Sequence, residues 1–152
     1  MYKVLFLDMD NTIAENITCQ DVPFEQGMYL NKRPIKFVID AVNDMIRPGL
    51  DHLVIVTQVQ GEGQGINEKQ EWLLNHDFYH DVFIHITDDT AKSKFMLDFC
   101  IMNGYKPTDC LVIDDKKTVL QDAEHFGFNT MYPQQLLVEY YEWLNRSQRP
   151  TT

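Results

Sequence analysis

Cysteine is scarce in this chain and poorly placed for a framework. Cys19, Cys100 and Cys110 are odd in number, far apart and without a Cys-x-x-Cys pair. That excludes a disulfide scaffold and a thiolate zinc centre, and it suits a reduced compartment. No apolar run approaches the roughly 18 residues of a membrane span. No basic-then-apolar leader precedes the first apolar segment, so a cytoplasmic protein without a membrane partner is expected. Positive charge is short too: 13 Lys and Arg face 23 Asp and Glu, for a net charge of −10. Such a chain repels duplex nucleic acid, which is not expected as a partner. A small phosphate ester stays open, because a bound cation and one or two lysines reverse the sign locally. Glycine is sparse except for Gly61, Gly63 and Gly65. That segment lacks the Gly-Lys-Ser/Thr ending of a phosphate-cradling loop, and its Glu62 would repel phosphate. It reads as a mobile surface loop. There is no internal repeat and no low-complexity tract.

What the chain does have is a regular alternation of short apolar runs and amphipathic stretches. Its 152 residues, 44% of them hydrophobic, suit a single domain over 1–145, with a frayed tail over 146–152. Val4–Leu7, Leu53–Val56, Val82–Ile86 and Leu111–Ile113 read as buried strands, and Phe128–Tyr132 as a short fifth. Between them, Phe37, Val38, Ala41, Val42, Met45 and Ile46 recur at helical spacing, with Pro34 suited to the first turn and Pro48-Gly49 as the stop. Asn67, with Gln70 three residues on, predicts a capped helix start. Further helices are expected over about 91–103, closed by Gly104, over 118–126, and over 136–144. Strands alternating with helices define an α/β protein with a parallel sheet covered on both faces. The segment 13–33 is mixed and reads as an irregular insertion.

Polar groups gather where such a sheet places its ligands, at the carboxyl ends of the strands. The first strand delivers Asp8 and Asp10, which alternation puts on one side. The second delivers Thr57, the fourth delivers Asp114 and Asp115, and Lys92 and Lys94 begin the helix after the third. Close carboxylates repel unless a cation sits between them or one keeps a proton. Alone, Asp-x-Asp is equally compatible with a polar turn, a metal site or an acid/base pair. Four strand ends of this kind are poorly explained by coincidence.

Together these motifs resemble the haloacid dehalogenase (HAD) superfamily of phosphohydrolases. Asp8-Met9-Asp10-Asn11-Thr12 matches its strand-borne Asp-x-Asp-x-Thr, Val56-Thr57 its second motif, and Ile113-Asp114-Asp115 its acidic pair. The resemblance runs from about Tyr2 to Tyr132. It implies a Rossmann-like doubly wound sheet of five strands in the order 3-2-1-4-5, with a short cap insertion after strand 1. It further implies that Asp8 is the nucleophile and forms an aspartyl-phosphate. Asp10 would protonate the leaving oxygen and later activate water, which asks for a raised pKa. Mg²⁺, suited to hard oxygen ligands, would be held by Asp8, the Asp10 carbonyl and Asp115, with Asp114 acting through water. Thr57, Gln58 and Lys92 would hold the phosphate. Lys92 is preferred to Lys94 because Met96 and Phe99 place it on the buried face of its helix. Asn11 stands where Gly is commoner, but Asn also tolerates turn geometry.

The substrate class is less legible. Arg33-Pro34-Ile35 with the helix after it, and Asn67-Glu68-Lys69-Gln70-Glu71-Trp72-Leu73, resemble the 5'(3')-deoxyribonucleotidase branch, here with a reduced cap. Phe24, Tyr29 or Phe37 could grip a base, although core packing suits Phe37 better. A small phosphorylated substrate such as a (deoxy)nucleoside monophosphate is expected. The alternatives are a phosphatase of protein or nucleic-acid ends, and a non-catalytic binding or regulatory domain, against which the intact motifs argue. A dehalogenase would not need Asp10 or a metal.

Overall fold

The computed structural model describes residues 1–16 and 23–150. Its centre is β1, Val4–Leu7, every residue of which is buried. β1 is flanked by β2 (His52–Gln58) and β4 (Cys110–Ile113). Outside these lie β3 (Val82–Ile86) and β5 (Asn129–Met131). All four pairings are parallel, and the order is 3-2-1-4-5 as expected. Leu7 stands level with Ile55 on one side and Ile113 on the other. The chain therefore emerges from β1, β2 and β4 at one edge, where the polar residues follow.

Alternation along β1 splits the core in two. Leu5 and Leu7 pack with Leu53, Ile55, Val38, Trp72 and Leu136. That face is covered by α1 (Lys36–Ala41), α2 (Glu62–Asn75) and α5 (Pro133–Ser147). Val4 and Phe6 pack with Val54, Val112, Met96, Leu120 and Phe128. There the cover is α3 (Lys92–Asn103) and α4 (Lys117–His125). Phe6 meets Phe99 and Phe128 edge-on at centroid distances of 5.7 and 5.8 Å, a favoured aromatic geometry.

Several local expectations are corrected. Pro34 lies in a β-bridge with Ala14 rather than in a helix. The helix begins at Lys36 and gives way to a π-helical turn over Val42–Ile46 and a 3-10 turn over Arg47–Gly49. α5 starts at Pro133, where a missing N–H costs nothing, and runs past Leu144 to Ser147. Tyr140 on this helix stacks on Trp143, and its hydroxyl binds Asp44 of the π turn.

The glycine-rich segment is not a surface loop. Gly61 adopts φ +77° and starts α2 directly, so Asn67 lies inside the helix and caps nothing. A Cβ on Gly65 would sit 1.8 Å from the Gln60 carbonyl oxygen. Only glycine lets this first turn close over the end of β2, and the expected loop becomes a helix start for that reason. Gly63 has nothing within 4 Å of a built Cβ. Gly65→Ala should therefore destabilise the protein by about 2–3 kcal/mol or more through overpacking. Gly63→Ala should stabilise it by about 0.5–1 kcal/mol, the helix-interior preference of Ala over Gly. Urea unfolding of the two variants checks both signs.

Candidate active site

The turn after β1 is tight. Asn11 takes φ +59°, tolerable for Asn, and the N–H groups of Thr12, Ile13 and Ala14 all donate to the Met9 carbonyl. The turn leaves Asp8 and Asp10 at the mouth of a pocket of about 140 Å³, in different company.

Asp8 is buried and receives a hydrogen bond from the Thr12 hydroxyl at 3.2 Å. Lys92, the first residue of α3, reaches it from the face of the sheet lined by Val4 and Phe6. Its ammonium lies 2.8 Å from Asp8 Oδ1 and 2.7 Å from Asp114 Oδ2, with side-chain exposure of only 4%. Burial opposes this charge, but the two carboxylates outweigh burial and hold the Lys92 pKa above the ordinary lysine range. Lys94 is exposed, so the structure brings Lys92 to the site and not Lys94.

Asp114 and Asp115 follow β4. Asp114 also accepts from the Lys116 N–H at 2.9 Å. Carboxylate oxygens of Asp8, Asp114 and Asp115 lie within 4.8 Å of one another. Burial, then the charge of Asp8, pushes Asp114 up to about 6 and Asp115 up to about 8. Three carboxylates share one ammonium, so the metal-free cluster keeps a proton near neutral pH and would carry two negative charges only once all three acids are ionised. The donor set is hard oxygen, so the residues fit Mg²⁺ or another hard divalent cation. Asp10 is not in this cluster; its side chain is engaged elsewhere.

Asp10 faces lysines, not carboxylates. Lys32 Nζ is 2.6 Å from its Oδ1, and Lys69 Nζ is 2.8 Å from its Oδ2. Burial raises the Asp10 pKa, but the Coulombic pull of Lys69 and Lys32 prevails and holds it below the usual carboxylate range. The raised pKa expected for a proton donor is therefore corrected: Asp10 is held ionised by its two lysines.

Thr57, fully buried at the end of β2, accepts from Lys69 Nζ at 2.7 Å. The Thr57 hydroxyl in turn donates to the Gln58 carbonyl at 3.4 Å, a contact long and weak enough for another acceptor to replace. The Gln58 side chain donates to the Thr87 carbonyl, and the Gln58 carbonyl accepts from Lys69. Gln58 also lines the pocket.

Sequence reasoning missed Lys69 and Lys32. Lys69 had a usable signal: it lies four residues after Gly65 and four before Leu73, on the buried face of α2, where a lysine needs partners. Lys32 lies in the insertion, which has no periodicity to place it. Tyr29 is buried beside both, its ring centroid 4.6 Å from Lys69 Nζ and 5.0 Å from Lys32 Nζ. Phe24 lies over Gly61 and 5.8 Å from the Tyr29 ring, whereas Phe37 packs on the core. Cys19, in the same insertion, lies outside the described residues.

No protein-family profile and no curated relative matches the chain. Solved structures do. A candidate HAD-like phosphatase from Mesorhizobium loti superposes with a TM-score of 0.61 at 18% identity, over 84% of this chain and 69% of that one. The D,D-heptose 1,7-bisphosphate phosphatase of B. bronchiseptica, solved with magnesium and phosphate, gives 0.65 at 14% identity, over 90% and 86%. This likeness establishes a HAD-like, Rossmann-type α/β fold.

The carboxylate cluster has a measurable signature. Asp114 and Asp115 bind protons more tightly folded than unfolded, so between about pH 4 and pH 8 the folded state holds the extra protons. The stability they lend is complete below about pH 4 and is lost as pH rises through about 6 and about 8. Metal-free protein should lose stability across this window, and Asp115→Asn should flatten the slope. Added Mg²⁺ should raise the melting temperature more at the alkaline end than at the acid end. Thermal melts with and without Mg²⁺ decide it; a metal-free slope of opposite sign would refute the protonation assigned here.

Proposed function

We propose that this chain is a Mg²⁺-dependent phosphomonoester hydrolase that works through an aspartyl-phosphate on Asp8. The observation that carries the reading is Asp8 at the end of the central strand, bonded to buried Lys92 beside Asp114 and Asp115. This arrangement sets a nucleophile, a fixed positive charge and a set of hard oxygen ligands around one point. The fold shared with phosphatases supports the same reading.

In this reading Asp8 attacks phosphorus in line and the ester oxygen departs. Lys92 sits where it offsets charge on the phosphoryl group, and Thr57 donates its hydroxyl to a phosphoryl oxygen. A Mg²⁺ held by Asp8, Asp115 and the Asp10 carbonyl, with Asp114 behind, would neutralise further phosphoryl charge. Asp10, ionised in the resting site, is ready to take a proton from the water that hydrolyses the aspartyl-phosphate.

The substrate we propose is a small phosphorylated metabolite, a (deoxy)nucleoside monophosphate in particular. Support comes from the pocket, whose outer wall is the insertion with Met28, Tyr29 and Lys32, and from the α2 segment that resembles the deoxyribonucleotidase branch. Tyr29 is buried, and two ammonium groups lie near its ring. Base contacts would therefore involve its edge or Phe24.

Hydrolysis of p-nitrophenyl phosphate should require Mg²⁺ and disappear in Asp8→Asn. Lys92→Met should lower kcat by about 100-fold or more, the scale of losing one charge-stabilising donor, while Lys94→Met should leave it unchanged. Activity that survives Asp8→Asn would sink the aspartyl-phosphate. A panel of mononucleotides, sugar phosphates and phosphopeptides tests the substrate; equal rates throughout would remove the nucleotide assignment.

A further inference from the structure

The insertion after β1 is fastened to the site by one stretch of α2. Glu68 accepts from the N–H groups of Gly27 and Tyr29 at 2.9 and 3.2 Å. Trp72 Nε1 donates to the Lys32 carbonyl at 2.8 Å. Lys69, between them, binds Asp10. The backbone on either side of Lys32 is thus pinned, and its ammonium is delivered to Asp10 Oδ1.

The two lysines on Asp10 are not equivalent. An ammonium has three N–H donors. Lys69 places them on Asp10 Oδ2, Thr57 Oγ1 and the Gln58 carbonyl, and its side chain is 1% exposed. It is saturated and lies behind the site. The Lys32 ammonium shows one hydrogen bond among the described residues, to Asp10, and Lys32 lines the pocket with Asp8, Asp10 and Asp115. Two donors remain to turn toward a ligand. Both Asp10 oxygens meanwhile already accept from an ammonium.

We propose that Lys32 is a catalytic residue that contacts the leaving group, donating a hydrogen bond from its ammonium to the departing ester oxygen, which leaves as an alkoxide when the Asp8–phosphorus bond forms and then takes its proton from water. This rests on the phosphohydrolase reading and deepens it. The argument is positional. Asp8 approaches phosphorus from β1, so the departing oxygen lies on the opposite side, toward the insertion. Lys32 is the pocket-lining cation that the insertion supplies. Its hydrogen bond gains strength as negative charge builds on that oxygen, so it favours the transition state over bound substrate. Lys69 acts differently, as a positioning residue that fixes Asp10 and turns the Thr57 hydroxyl toward phosphate.

Leaving-group dependence reads this directly. Departure of p-nitrophenolate needs little help, whereas an alkoxide from a nucleoside 5'-phosphate or glycerol phosphate needs a donor. Lys32→Met should lower kcat on alkyl phosphates by about 100-fold and kcat on p-nitrophenyl phosphate only a few-fold, with KM little changed on either. Lys32→Arg keeps a cation and should recover most of the alkyl activity. Circular dichroism and thermal melts check that both variants fold; if Lys32→Met does not, Lys32→Gln takes its place. Equal losses on aryl and alkyl substrates, or a change confined to KM, would overturn the leaving-group role and leave the phosphatase reading standing. Wild-type protein that turns over neither substrate would overturn both.

Discussion

One ammonium holds the candidate site together. Lys92, carried by the first residue of α3, lies between Asp8 from β1 and Asp114 from β4. Without it, three carboxylates would meet at the end of two adjacent buried strands, and the desolvation cost would have no offset. With it, the excess is two negative charges when all three acids are ionised, the charge a divalent cation would match. The sheet supplies the proximity, since Leu7 and Ile113 stand level in neighbouring strands. α3 supplies the charge from the face lined by Val4 and Phe6.

A second knot lies two residues away with the opposite balance. Asp10 is one carboxylate against two ammonium groups. Adjacent acids of one motif thus sit in contrasting fields. Asp8 shares its surroundings with other acids, where a proton and a bound cation would compete. Asp10 is kept ionised by cations that arrive from α2 and from the insertion. In the proposed reading, this contrast would let two aspartates of the same intrinsic acidity take different parts in one reaction.

Much of this was legible in the sequence because it follows from period and from hard contrasts of polarity. β1 is four apolar residues followed by Asp8, and no other local arrangement buries that run while freeing the carboxylate. The strand order followed from the resemblance, and the choice of Lys92 over Lys94 from helical spacing against Met96. Where the reading failed, tertiary contact overrode local preference. Gly61, Gly63 and Gly65 carry poor helix propensity, yet α2 begins there because Gly65 must pass over the Gln60 carbonyl. Pro34 looked like a helix start and is spent on a bridge to Ala14. Asp10 was expected among acids, because nothing local announces that Lys69 and Lys32, 59 and 22 residues away, converge on it. The insertion has no periodicity, so its Lys32 and Tyr29 had no readable address.

The bracket on α2 bears on how such a site can change. Glu68, Lys69 and Trp72 fall within little more than one helical turn, and each secures a different part: the backbone of the insertion, the second aspartate, and the stem of Lys32. If the chain works as proposed, recognition and chemistry are therefore not separable modules in it. A new insertion grafted after β1 would arrive without its fastenings unless that turn were rewritten with it. Nor can the turn drift freely, since Lys69 also holds Thr57. Divergence toward other leaving groups is thereby channelled into paired exchanges between α2 and the segment it clasps.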